Sequence, residues 1–136
     1  MSVHEGTVQK FGYEHEIEVQ FRDCDLLGHV NNAVYLSYLE QARFGHWQRL
    51  SGTTSIPFIL ARVECDYRVP VTLGDRLIVR VAVQAVGRSS FTLEYEVLHA
   101  RTRQIVATAK TVQVMYDYAA GRSIPIPDHI RVKLSG

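Results

Sequence analysis

The chain has 136 residues, 46% hydrophobic and 21% charged, the make-up of one compact domain over 1–136 with no room for a second independent core. Its 15 basic and 14 acidic side chains leave a formal net charge of +1, which excludes binding to nucleic acid through an accumulated positive field. No apolar run approaches the roughly 20 residues that cross a bilayer, the N-terminal stretch lacks signal-peptide features, and Cys24 and Cys65 have no CxxC partner. The expectation is a cytoplasmic protein with reduced thiols, no membrane contact, no metal and no cofactor.

In chain order, Tyr13, Ile17, Val19 and Phe21 alternate with Glu14, Glu16, Glu18, Gln20 and Arg22, which predicts a strand over 13–22 with one wet face. Tyr35, Tyr38, Leu39 and Ala42 then fall at i, i+3, i+4 and i+7, predicting a helix over 33–50 capped by Asn31 or Asn32. A Ser/Gly/Thr loop and Pro57 end it. Ile59, Ala61, Val63, Cys65, Tyr67 and Val69 alternate with Arg62, Glu64, Asp66 and Arg68 up to Pro70, a second strand. Leu77 to Val83 and Phe91 to Val97 alternate likewise around a hairpin-like break at 87–90. The run from about 104 to 116 is apolar on both parities, as in the middle of a sheet. The tail after Pro127 has room for one helical turn. Short connections make the last four strands antiparallel neighbours, and only the long helix is available to cover them. The expected class is α+β, a curved antiparallel sheet of about five strands around one helix.

The most unusual stretch is Arg22-Asp23-Cys24-Asp25-Leu26-Leu27-Gly28-His29-Val30-Asn31-Asn32-Ala33. It sets two carboxylates, an imidazole and two amides just before a helix N-terminus, whose unpaired N–H groups and dipole suit a developing oxyanion. A carboxylate there can attack a carbonyl or activate water. The residues alone leave a second reading open, in which Asp23 and Asp25 only shape turns, Asn31 and Asn32 only cap, and His29 fills a polar niche.

This stretch resembles the signature of hotdog-fold thioesterases of the 4-hydroxybenzoyl-CoA thioesterase type, which include long-chain acyl-CoA and plant acyl-ACP thioesterases. The similarity continues through Asp66-Tyr67-Arg68-Val69-Pro70, Leu73-Gly74-Asp75 and Val86-Gly87-Arg88-Ser89-Ser90-Phe91, about 110 residues in matching order. The resemblance implies the hotdog fold and hydrolysis of an acyl-CoA, or alternatively an acyl-ACP. It implies Asp25 as nucleophile or general base, with Asp23 as turn-former and the amides around Asn32 and Ala33 polarising the thioester carbonyl. His29 matches a His of the acyl-ACP relatives, which have Asn where this chain has Leu27. His29, Asn31 and Asn32 then position water or line the pocket.

The resemblance places CoA contacts near Arg88, Ser89 and Ser90, a guanidinium and two hydroxyls suited to phosphate oxygens; an ordinary solvated hairpin is the other reading. Tyr35, Tyr38 and Trp47 line an acyl pocket or belong to the core. Glu64, on a polar strand face, is placed to meet another subunit's loop. Open sheet edges point to a homodimer or homotetramer with the site between subunits. A hotdog domain that binds acyl thioesters or a protein without turnover is the rival of another class.

Overall fold

The computed structural model describes residues 11–136. Strand β1 (Tyr13–Glu18) leads through a 3-10 turn (Phe21–Asp23) to helix α1 (Asn32–Ser51), followed by β2 (Phe58–Tyr67), β3 (Arg76–Val86), β4 (Ser90–His99), β5 (Ile105–Asp117), the two-residue β6 (Arg122–Ser123) and helix α2 (Asp128–Ser135). One antiparallel sheet runs in the order β1-β3-β4-β5-β2, with β6 paired to β5, making six strands where about five were expected. The tail forms an eight-residue helix instead of a single turn.

β1 is shorter than its alternation suggests. The Asp23 carboxylate accepts the Gln20 N–H at 2.9 Å and Cys24 N–H reaches Phe21 O at 3.2 Å, so the chain turns after Val19 and leaves Phe21 82% exposed. Asn31 caps α1 by accepting the Ala33 N–H at 2.9 Å, and Gly52 ends it in the left-handed region at φ 77°, its N–H bonded to Gln48 O. Gly45 is required by contact, since a Cβ there would overlap the Tyr13 hydroxyl of β1.

The sheet's inner face and one side of α1 form the core. Tyr35, Leu39, Ala42 and Trp47 pack with Leu77, Val79 and Val81 of β3 and with Phe91, Leu93, Tyr95 and Val97 of β4, each large aliphatic contributing roughly 1.5–3 kcal/mol of burial. Of the five long strands, β3, β4 and β5 are the ones that neighbour each other in sequence order. β2 lies beyond β5, its partner over Phe58↔Met115 to Tyr67↔Ala107, because residues 68–75 carry the chain across the end of the sheet, hydrogen-bonding Val106, Val30 and Val19 on the way. β2 is therefore an edge strand. A bulge between Leu60 and Arg62 flips its parity. Phe58 and Leu60 thus share the inner face with Val63, Cys65 and Tyr67, and Ile59, expected with Val63, is on the other side.

Candidate active site

The stretch before α1 is a tight loop clamped at both ends. Cys24 bridges Val30 and His29 bridges Thr72, while Val30 N–H donates to Val71 O at 2.8 Å and Asn31 N–H to Asp23 O at 2.9 Å. The turn closes through Asp25 N–H to His29 O (2.7 Å) and Gly28 N–H to Asp25 O (3.0 Å), with Gly28 at φ 83°, which favours glycine. Leu26 and Leu27 at its tip point into solvent.

Asp25 makes the Asx contact itself. Its Oδ1 accepts the N–H groups of Leu27 (2.9 Å) and His29 (3.2 Å), and no group among the described residues donates to Oδ2. The carboxylate is thus oriented through one oxygen and available through the other. Asp23, expected as turn-former, closes the preceding 3-10 turn and is also tied to the core by the Tyr38 hydroxyl, which donates to its Oδ2 at 2.7 Å. That bond and burial push the Tyr38 hydroxyl far up from its ordinary value, burial being the larger cause.

Asp25, His29, Asn31, Asn32 and Tyr35 line one cleft of about 460 Å³, completed by Val30 and Tyr67 to Pro70. Ala33 differs from expectation: its N–H is taken by the Asn31 cap. Val34 N–H bonds Asn31 O at 2.9 Å, so the first-turn amide with no acceptor among the described residues is that of Asn32. Tyr67 donates to Asn32 O at 2.8 Å and stacks edge-on with Tyr35, centroids 5.0 Å apart. Burial foremost, then Cys65, Tyr67 and Asp75, pushes the Tyr35 hydroxyl up to about 12, so this wall stays neutral. Among the described residues no group of three or more His, Cys, Asp or Glu side chains is placed to hold a metal ion.

The Asp25 carboxylate and the unclaimed Asn32 amide thus line the same cleft. The model of the thioesterase-like superfamily matches residues 19–134. The chain belongs to that superfamily. It is 29% identical over 127 residues to the long-chain acyl-CoA thioesterase FadM of Escherichia coli, covering 88% of this chain and 94% of that protein. It is 28% identical over 129 residues to the 1,4-dihydroxy-2-naphthoyl-CoA hydrolase of Synechococcus elongatus, covering 88% and 92%. The solved structure of a thioesterase from Thermus thermophilus, complexed with coenzyme A and Zn, aligns at TM-score 0.85 and 39% identity over 93% of this chain and 99% of that one. As a thioesterase of this superfamily the protein is an enzyme of the thioester-hydrolase class on a hotdog fold.

The thioesterase cleft does not include every residue the sequence singled out. Arg88, Ser89 and Ser90 lie at the far end of β3 and β4, where Arg88 O accepts Ile126 N–H (2.8 Å) and Arg131 Nη2 (3.2 Å) and so anchors the C-terminal segment. β3 alone has 11 residues, about 35 Å at a strand's rise, so one chain does not bring this turn to Asp25. Trp47 is core, its Nε1 donating to Ser55 O at 2.8 Å. Glu64 pairs with Arg62 at 2.7 Å on the exposed face of β2. Tyr67 is a cleft wall that sequence reasoning passed over; its inward parity in the second strand was the available signal.

Proposed function

We propose that this chain hydrolyses acyl-CoA thioesters, with Asp25 as nucleophile or as general base on water. The observation that carries the reading is the Asp25 carboxylate, held through Oδ1 with Oδ2 free, in one cleft with the unclaimed Asn32 N–H. Attack at the thioester carbon, by Oδ2 or by water that Asp25 deprotonates, moves the carbonyl electrons onto oxygen, where the Asn32 amide and the helix dipole receive the charge. Collapse re-forms the carbonyl and expels the CoA thiolate. In the nucleophilic variant, water then cleaves the acyl–Asp25 anhydride to the free acid. One such donor is worth roughly 3 kcal/mol of barrier. Asp25→Asn and Asp25→Ala are expected to lower thiol release by at least about 100-fold; near-normal turnover sinks the proposal.

The working unit is a homodimer joined through β2, or a tetramer of such dimers. β2 offers an unpaired edge and the exposed inward residues Leu60, Val63 and Tyr67, while Leu36 is exposed on α1. An antiparallel pair of β2 strands with Val63 on the two-fold axis sets Arg62 of each against Glu64 of the other. It also turns the Arg88–Ser90 turn of the partner subunit toward the Asp25 end, which supports CoA phosphate binding across subunits. Matched acyl-CoA and acyl-ACP rates, with loss of the CoA rate on Arg88→Ala, separate the two carriers. The relatives' names point to both long aliphatic and aromatic acyl groups, so a thiol-release screen across both classes decides between them, the former fitting cytoplasmic fatty-acid metabolism.

A further inference from the structure

Midway along α1 a positive charge is buried without a counter-ion. Arg43 is 8% exposed, and its one acceptor among the described residues is the Tyr95 hydroxyl, 3.3 Å from Nη1. That hydroxyl lies 2.6 Å from Thr111 Oγ1, to which its proton goes, since a guanidinium only donates. Two residues along β5, the buried Gln113 gives Nε2 to Phe91 O at 3.0 Å and leaves Oε1 without a donor. Here alone among the described inward residues of β4 and β5 the lining turns polar.

A buried guanidinium with five donors and one neutral acceptor is costly unless an anion completes it. Glu40, one turn earlier on α1, is exposed and makes no ion pair with it. Arg43 instead lines a cleft of about 580 Å³ whose walls include Phe44, Phe58, Ile59 and Leu60. The chemistry of this cleft is apolar length ending at a cation. In a β2-paired dimer with Val63 on the axis, the bulge at Ala61 brings Tyr67 of the partner subunit opposite the inward-facing Phe58, so this cleft and the partner's Asp25 cleft share a wall and become one groove.

We propose that Arg43 is a specificity residue that pairs with a carboxylate at the far end of the acyl group, making ω-carboxyacyl thioesters the preferred substrate class. This rests on the thioesterase reading above. The test measures kcat/KM for thiol release by the full-length protein, Arg43→Met and Arg43→Lys, on CoA thioesters of equal carbon count ending in carboxylate or in methyl. The wild type is expected to favour the carboxylate by about tenfold or more; Arg43→Met loses that preference while its methyl-terminated rates stay within about threefold, and Arg43→Lys retains part of it. An unchanged ratio in Arg43→Met, or a wild-type preference for methyl, overturns the proposal. So does dissociation of the dimer in Arg43→Met with wild-type selectivity in Arg43→Lys, which makes the guanidinium an intersubunit tie. Calorimetric titration with the free dicarboxylic and monocarboxylic acids needs no turnover. If the protein hydrolyses no thioester, the activity fails, and dicarboxylate binding that Arg43→Met abolishes still upholds the role of Arg43; its absence from the wild type refutes it.

Discussion

β4 and β2 carry similar apolar alternations and meet opposite fates. On β4, Leu93 and Val97 are at most 1% exposed, whereas on β2 Leu60 is 47% and Val63 38% exposed although both face the concave side. The difference lies in cover: α1 packs chiefly over β1 and β3 and meets β2 near its two ends, Trp47 against Phe58 and Tyr35 against Tyr67, leaving the middle of the strand bare. Leu60 and Val63 thus form an apolar surface that their own chain leaves bare, the surface through which the dimer proposed above would form.

The contrast is tested most severely by substituting one residue on each strand. Leu93→Ala is expected to cost about 3 kcal/mol in denaturant unfolding, while Val63→Asp leaves each subunit's circular dichroism intact and shifts the mass in analytical ultracentrifugation from dimer to monomer. On the covered side, Gly45→Ala drives a methyl into the Tyr13 hydroxyl and is expected to cost about 2 kcal/mol. Tyr13→Phe in the same chain recovers most of that loss, and an undiminished melting temperature in the single variant would show the contact to be slack.

The covered side also titrates. Burial, and secondarily Arg49, pulls the His46 imidazole down from 6.5 to about 4. The unfolded chain therefore binds the proton first. His46 contributes its full stability above pH 6.5 and loses it as pH falls toward 4, a loss on the order of 3 kcal/mol. A His46→Gln chain should show a flatter stability profile across that window. The smallest effect is expected at the cleft: Asn31→Ala frees the Ala33 N–H and lowers stability by about 1 kcal/mol, read from thermal melts.

Much of this was legible in the residues. Alternation in 76–83 and 91–97 and the helical spacing from Tyr35 to Ala42 reflect one-sided burial, which local patterns encode. The reversal at Ala61 was hidden because Leu60 and Ala61 make both parities apolar there, and the β2–β5 pairing is a long-range choice that no local pattern records. The Asp25–Asn32 loop stood out by its density of polar groups before a helix. The capture of Asp23 by Tyr38, 15 residues away, and the tie between Tyr67 and Asn32 depend on tertiary approach. Arg43, adjacent to Ala42 on the core-facing side, was a visible anomaly in the apolar stripe and passed unremarked.

The crossing segment 68–75 also governs the order in which the molecule can be assembled. β1 waits for β3, with Tyr13 meeting Val81, and β2 waits for β5, with Phe58 meeting Met115. A nascent chain therefore holds β1 without a ladder partner until β3 is complete at Val86, and β2 until β5 is complete at Asp117, and such non-local pairings fold slowly. β2 is the last to find a neighbour on one side, and within a single chain it never finds one on the other. Its exposed inner residues make it the segment from which misassembly at high concentration would start.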